Sequence, residues 1–243
     1  MRDTERLSEI LAASSSIVFF GGAGVSTASG IPDFRGSGGL YTSGGDDRDP
    51  SWYLHADCLL SDPDAFFDFY RAQMLYPDAE PNGAHRALAR LEEMGKLQAV
   101  VTQNIDGLHQ MAGSQNVLEL HGSVLRNHCM ECGTSYPLSE ILGGEGVPYC
   151  PDCGGIIRPD VVLYGEGLDG GVFSRAERAI EGADVLIVGG TSLTVYPAAG
   201  LLTGFAGEHL VIINKTPTFY DDCATLLIRD PIDEVLETAI ADL

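Results

Sequence analysis

Apolar residues fall along this chain in short unbroken runs. Residues 17–20 read IVFF, 99–102 AVVT, 117–120 VLEL, 185–188 VLIV and 210–213 LVII. A strand covered on both faces needs a continuous apolar run, so each of these predicts a buried parallel strand. Elsewhere the spacing changes to three and four. Residues 84–95, 174–181 and 232–241 read as amphipathic helices, and residues 1–13 as a more polar one. Strands alternating with helices predict an α/β fold built on a doubly wound parallel sheet.

Two regions break this rhythm. Residues 36–50 read GSGGLYTSGGDDRDP, which predicts a long mobile loop, and loops of that length are usually functional. Residues 126–158 carry four cysteines and no convincing core strand, so they read as an insert. With 243 residues, 44% of them hydrophobic, the chain can bury a sizeable core as one large domain or a domain with an insert.

Charge narrows the partners. Fourteen basic against 35 acidic residues leave a net charge of -21, and only Lys96 and Lys215 are lysines. Such a surface repels phosphate backbones, so no direct nucleic-acid binding is expected. The run at 17–20 is far too short to span a bilayer, and no targeting segment is read at the N-terminus, so no membrane partner is expected. The expected place is the cytoplasm, where thiols stay reduced.

Reduced thiols decide how the cysteines are read. Cys129-x-x-Cys132 is followed after 17 residues by Cys150-x-x-Cys153. Two such knuckles present four thiolates to one tetrahedral zinc ion. Four cysteine ligands leave no open coordination position, so the zinc is expected to be structural. Cys58 and Cys223 stand alone and read as buried structural thiols.

The first strand runs into Gly21-Gly-Ala-Gly-Val-Ser-Thr27. Gly22 and Gly24 permit a tight turn and close approach of backbone amides to a pyrophosphate, with a helix N-terminus expected behind them. Thr27 replaces the third glycine of the ordinary dinucleotide fingerprint, which argues against a plain dehydrogenase. A second turn, Gly189-Gly-Thr-Ser192, and the strand end Asn214-Lys215 add polar groups where open α/β sheets bind ligands. Together these predict a nucleotide crevice.

The stretch Gly22-Ala-Gly-Val-Ser-Thr-Ala-Ser-Gly-Ile-Pro-Asp-Phe-Arg35, with Thr102-Gln-Asn-Ile-Asp-Gly-Leu-His109, is similar to the signature segments of the sirtuin family. His121-Gly122, the four cysteines, Arg158-Pro-Asp-Val-Val162, Gly165-Glu166, Gly190-Thr-Ser192 and Asn214 continue the likeness in order along nearly the whole chain. The resemblance implies a Rossmann-like NAD-binding domain over 1–35, 83–125 and 159–243, a cofactor-binding loop and helical insert over 36–82, and a four-cysteine zinc module over 126–158. It also implies an NAD-dependent protein-lysine deacetylase acting on acetylated-lysine proteins or peptides. Its products would be free lysine, nicotinamide and O-acyl-ADP-ribose.

Family roles carry over to matching positions. Ala23, Thr27 and Arg35 would hold the pyrophosphate, and Phe34 would cover the nicotinamide end. Gln103 and Asn104 would meet the nicotinamide ribose, and Ile105 and Asp106 the nicotinamide amide. Thr191, Ser192, Asn214 and Ile232 would surround the adenosine half. His121 would be the general base, a task that suits imidazole near neutral pH. Read alone, Asp106 could equally cap a helix, and His55, His85, His109, His128 and His209 read as structural.

Val161, Val162 and Tyr164 would line the acyl-lysine site, with the substrate added as a strand. Family members commonly carry phenylalanine where Tyr164 stands, so its hydroxyl adds a polar tip. Members that remove acidic acyl groups carry a Tyr-x-x-Arg pair. The corresponding positions read as Phe67 and Tyr70, with Arg71 on another face of the helix. Succinyl and malonyl groups are therefore expected to be disfavoured. ADP-ribosyl transfer would share the first chemical step, but His121 and the apolar Val161-Val162 favour deacylation. A non-catalytic sensor would have lost His121, Asn104 or Asp106.

Overall fold

The computed structural model describes residues 3–34, 36, 39–41, 49–241 and 243. In chain order its strands are β1 (Ile17–Gly21), β2 (Leu97–Thr102), β3 (Val117–Glu119), β4 (Gly122–Cys129), β5 (Ser135–Pro137), β6 (Ile157–Val161), β7 (Val185–Gly189), β8 (His209–Ile213) and β9 (Leu226–Ile228). The α-helices are α1 (Asp3–Ala13), α2 (Pro50–Tyr53), α3 (Ala56–Ser61), α4 (Pro63–Gln73), α5 (Gly83–Glu93), α6 (Leu108–Met111), α7 (Leu138–Leu142), α8 (Gly170–Glu181) and α9 (Ile232–Ile240).

All five apolar runs became strands of one parallel sheet, ordered β3-β2-β1-β7-β8-β9. Alternate residues of β1 serve opposite faces. Ile17 and Phe19 join a core built with Leu7 and Leu11 of α1, Leu88 and Leu91 of α5, and Leu236 of α9. Val18 and Phe20 join one built with Ala176 and Ile180 of α8 and with the 3-10 turn Ala198–Gly204. Both faces are covered, which is why these strands carry no polar alternation. The strand order reverses between β1 and β7, and at such a switch point the carboxyl ends of neighbouring strands diverge into a crevice.

The cysteine-bearing region is a second, antiparallel sheet ordered β5-β4-β6. Its strands were not legible because β5 is largely exposed and β4 lacks a regular alternation. Its apolar side packs on α4, where Phe66, Phe67, Val124 and Ile157 share one cluster with Cys129 and Cys150. Most of the loop expected over 36–50 lies outside the described residues. So does Arg35.

Cys58 is buried as expected, whereas Cys223, read as buried, is exposed at the end of the short turn Asp221–Cys223. Two histidines read as structural are core residues. His85 of α5 and His109 of α6 are buried, with ring centroids 4.7 Å apart. Burial pushes His85 down to about 4, the Asp106 carboxylate opposing it, and burial together with the neighbouring His85 pushes His109 to about 3. The unfolded chain takes up these protons at ordinary pH values and the folded chain does not. This share of stability is therefore complete above pH 6.5 and is lost as pH falls toward 4 and below. Inside its window each group contributes a slope of about 1.4 kcal/mol per pH unit. The urea midpoint is expected to fall between pH 6.5 and 4.5, and His109→Gln to make that fall shallower. Identical slopes in wild type and variant would show that His109 does not carry this pH dependence.

Candidate active site

At the switch point the two glycine turns lock together. Gly22 N–H donates to Gly189 O at 3.2 Å and Gly24 N–H to Gly190 O at 2.8 Å. A Cβ on Gly24 would lie 2.7 Å from Gly190 Cα, and one on Gly190 (φ +61°) 2.4 Å from Val25 N. These glycines thus serve backbone-to-backbone packing as well as any ligand. Among the described residues no long helix follows directly on the first turn. Ala23–Val25 and Thr27–Ser29 are short 3-10 turns ended by Gly30 in the left-handed conformation, and Ile31 and Pro32 follow. The expected helix N-terminus is replaced by these turns.

Above the turns opens a cavity of about 840 Å³, within the usual range for small-molecule sites. Among its lining are Ala23, Thr27, Phe34, Gln103, Asn104, Ile105, Asp106 and His121. Val161, Val162, Tyr164, Thr191, Ser192, Asn214 and Ile232 complete the predicted set. Every predicted cofactor or substrate residue among those described therefore reaches one space. Arg35 is the member outside them.

The β2 end supplies the polar centre. Asn104 Nδ2 donates to Ser26 Oγ at 3.1 Å, and Ser26 Oγ donates to Asp106 Oδ2 at 2.7 Å. Asp106 Oδ1 also accepts Leu108 N–H at 2.9 Å, so the capping role and a place in the cavity coexist. Ser26 is buried and aligns two predicted site residues, although its own position drew no role from the sequence. Gln103 Nε2 donates to Thr191 Oγ1 at 3.0 Å, tying β2 to the second glycine turn. Asn214 Nδ2 donates to Thr216 O at 2.8 Å. Ile232 seats its Cδ1 over Gly189, 2.1 Å from where a Cβ there would stand.

His121 sits between the two sheets. Its Nδ1 lies 2.9 Å from Gln103 O. A carbonyl only accepts, so Nδ1 carries the proton and Nε2 keeps the lone pair that a base needs. Burial holds the imidazole below its usual range, with the bond to Gln103 opposing, so it is neutral at pH 7. Gly122 follows at φ +77°, and a Cβ there would lie 1.9 Å from Asp160 O. Only glycine admits β6 this close.

Beyond His121, residues 161–166 curve along the cavity. Arg158 holds Glu166 with two hydrogen bonds, of 2.6 and 3.0 Å, and also donates to Val161 O at 3.0 Å. Glu166 Oε2 accepts Leu163 N–H at 2.8 Å. Val162 N–H donates to His121 O at 3.0 Å. Of the helix residues read for acyl choice, Tyr70 lines the cavity. Phe67 is core, and Arg71 donates to Ile141 O at 2.7 Å. Among the described residues no arginine lines the cavity.

The four predicted zinc ligands converge away from this cavity. Their sulfurs all lie within 4.8 Å of one another, with Cys129–Cys153 at 3.4 Å and Cys132–Cys150 at 3.7 Å. Tetrahedral zinc with bonds of about 2.3 Å needs sulfurs about 3.8 Å apart, whereas a disulfide needs about 2.05 Å. The set fits zinc. Thr134 Oγ1 lies 3.2 Å from Cys132 and Tyr136 OH 3.0 Å from Cys150. These hydrogen bonds lower both thiols toward the thiolate form that binds metal. No helix of the described residues is long and apolar enough to cross a membrane.

Comparison with known proteins agrees with this geometry. Residues 22–197 match the family model described as the Sir2 family. An NAD-dependent protein deacetylase of Clostridium acetobutylicum is 56% identical over 236 residues, covering 96% of each chain. One from Staphylococcus aureus is 46% identical over 241 residues, covering 99% of each. Among solved structures, a Sir2 variant with deacetylated p53 peptide and 3'-O-acetyl ADP-ribose superposes with TM-score 0.90 at 39% identity, covering 100% of this chain and 98% of that one. A Sir2–p53 peptide–NAD+ structure does so with TM-score 0.87 at 38% identity, again covering 100% and 98%.

Proposed function

The chain belongs to the Sir2 family, and from that premise we propose a division of labour within its cleft. It is an NAD-dependent protein-lysine deacetylase, transferring acetyl from lysine to ADP-ribose with release of nicotinamide. The observation that carries the proposed roles is the His121–Gln103 bond beside the Asn104–Ser26–Asp106 chain.

In this reading Ala23, Thr27 and Arg35 hold the pyrophosphate. Thr191, Ser192, Asn214 and Ile232 receive the adenosine half. Gln103 and Asn104 orient the ribose next to nicotinamide, while Ile105 and Asp106 hold the nicotinamide amide and Phe34 keeps water from the sugar carbon. His121 Nε2 takes a proton from a ribose hydroxyl, which lets that oxygen receive the acyl group. Fixing both partners in one orientation, with polar groups already aligned, supplies most of the acceleration. The acyl-lysine peptide adds as a strand beside Val161 and Val162; β6 is an edge strand of its sheet, so backbone bonding is available there with little demand on sequence.

Acetylated-lysine proteins or peptides are the proposed partners, and the cytoplasm the proposed place, in keeping with the bacterial relatives. Among the described residues the cavity lining holds no arginine to pair with an acidic acyl group, which favours acetyl over succinyl or malonyl. Parallel assays of acetyl-, succinyl- and malonyl-lysine peptides, each with and without NAD, test the reading. Only the acetyl peptide with NAD is expected to yield free lysine efficiently. Equal turnover of the acidic peptides, or turnover without NAD, would defeat it.

Ser26 supplies a sharper check on the polar centre. Ser26→Ala leaves Asn104 Nδ2 without its acceptor and one Asp106 oxygen without its donor. A buried group left unpaired costs about 1–3 kcal/mol, and both side chains lose their alignment. Turnover is expected to fall about tenfold or more, by the same energy scale. Unchanged kcat and KM would show that the two side chains are held by something else.

A further inference from the structure

Across the mouth of the cleft, the Tyr41 and Tyr164 hydroxyls lie 2.8 Å apart. Tyr41 is bound to the cofactor side. Its N–H donates to Phe34 O at 2.9 Å, Leu40 N–H donates to Asp33 O at 2.8 Å, and its ring centroid lies 5.7 Å from that of Phe34. Tyr164 is bound to the other side. Its N–H donates to Leu54 O at 2.9 Å and its carbonyl accepts Ala56 N–H at 3.0 Å. Two residues earlier, Val162 N–H reaches His121 O. A continuous line of contacts thus runs from His121 through residues 162–164, across the two hydroxyls, to Tyr41 and Phe34.

We infer that the Tyr41–Tyr164 hydrogen bond is a positioning contact that couples cofactor binding to acyl-lysine binding. The inference rests on the cofactor and acyl-lysine reading above. A ligand that holds Phe34 and Tyr41 in place also steadies Tyr164, and a peptide seated along residues 161–164 steadies Tyr41 and Phe34 in turn. Such coupling is reciprocal: each ligand strengthens the other by one common factor. Phenylalanine at either position would keep the ring and its packing and remove the link. The tyrosine hydroxyl at 164, which from sequence alone adds a polar tip to the lysine channel, also meets Tyr41.

Calorimetric titration of ADP-ribose, a cofactor fragment with no nicotinamide to lose, tests this with and without saturating acetyl-lysine peptide. The wild type is expected to bind ADP-ribose more tightly when peptide is present. Tyr41→Phe and Tyr164→Phe should each shrink that enhancement by about two- to tenfold, the scale of one neutral hydrogen bond. The double variant should shrink it no further, since both substitutions remove the same bond. The enhancement is a ratio of two affinities within one variant, so a general weakening of the fold cancels from it. Enhancement retained in both single variants, or losses that multiply in the double, overturns the coupling. A wild type that binds ADP-ribose but no acetyl-lysine peptide overturns the substrate reading, and the coupling with it.

Discussion

His121→Ala is expected to lower acetyl transfer by about 10²–10⁴-fold, the usual worth of a positioned general base. The fold should survive, because His121 is only partly buried and its Nδ1 contact is a single bond to Gln103 O. Steps that precede proton removal should suffer less, so peptide-dependent exchange of labelled nicotinamide into NAD is expected to persist in the variant. The wild-type pH profile should carry the same signature. Burial depresses the imidazole, so the neutral base persists below pH 6.5 and activity falls only as pH drops through the lowered value. The acid limb of the kcat profile therefore belongs below pH 6.5, and the residual activity of His121→Ala should lack that limb. A variant that keeps both the full rate and the limb would assign the base elsewhere.

Cys150→Ser carries the second large effect, on stability. It leaves three sulfurs for an ion that needs four, and Cys150 is buried beside Ile157 and Val124 in the small module's core. Losing a structural metal is among the mechanisms that cost more than about 4 kcal/mol. For a chain of this size that corresponds to a fall in Tm of about 10 °C or more. Metal analysis should show zinc bound to the wild type and absent from the variant. Activity should fall as well, although the zinc has no open position for chemistry. The reason is geometric: β4 begins beside His121 at Gly122 and β6 ends at Val161, so both walls of the acyl-lysine site hang on this module. A zinc-free variant with the wild-type Tm would refute the structural role.

Much of this architecture was legible because its signals are local. The five apolar runs and the two CxxC knuckles each declare themselves within a few residues. The elements that escaped are those without a local signal. β9 is only LLI, between Thr225 and Arg229. α8 begins four residues before the helix read over 174–181, because Gly170 and Gly171 look like loop until Asp169 is seen accepting Val172 N–H at 2.7 Å. The small sheet relies on its four cysteines where a larger one would rely on apolar alternation.

The site followed the same rule. His121, Asn104 and Asp106 stand in recognisable segments, and the structure brings them to one cavity. Ser26 was hidden because its partners lie 78 and 80 residues away. The Tyr41–Tyr164 pair spans 123 residues. The first glycine turn was legible as a turn, but its second duty was not. Gly24 and Gly190 are small also because two backbones touch there, and that contact exists only once β1 and β7 are neighbours.

If one cleft holds NAD and acyl-lysine together, acetyl moves directly from lysine onto ADP-ribose. The most direct measurement is the stoichiometry of a single reaction: nicotinamide released, lysine freed and O-acetyl-ADP-ribose formed, all quantified by mass spectrometry. Equal amounts of all three are expected, with no free lysine when NAD is left out. Nicotinamide in large excess over freed lysine, or freed lysine accompanied by acetate in place of O-acetyl-ADP-ribose from the outset, would contradict it.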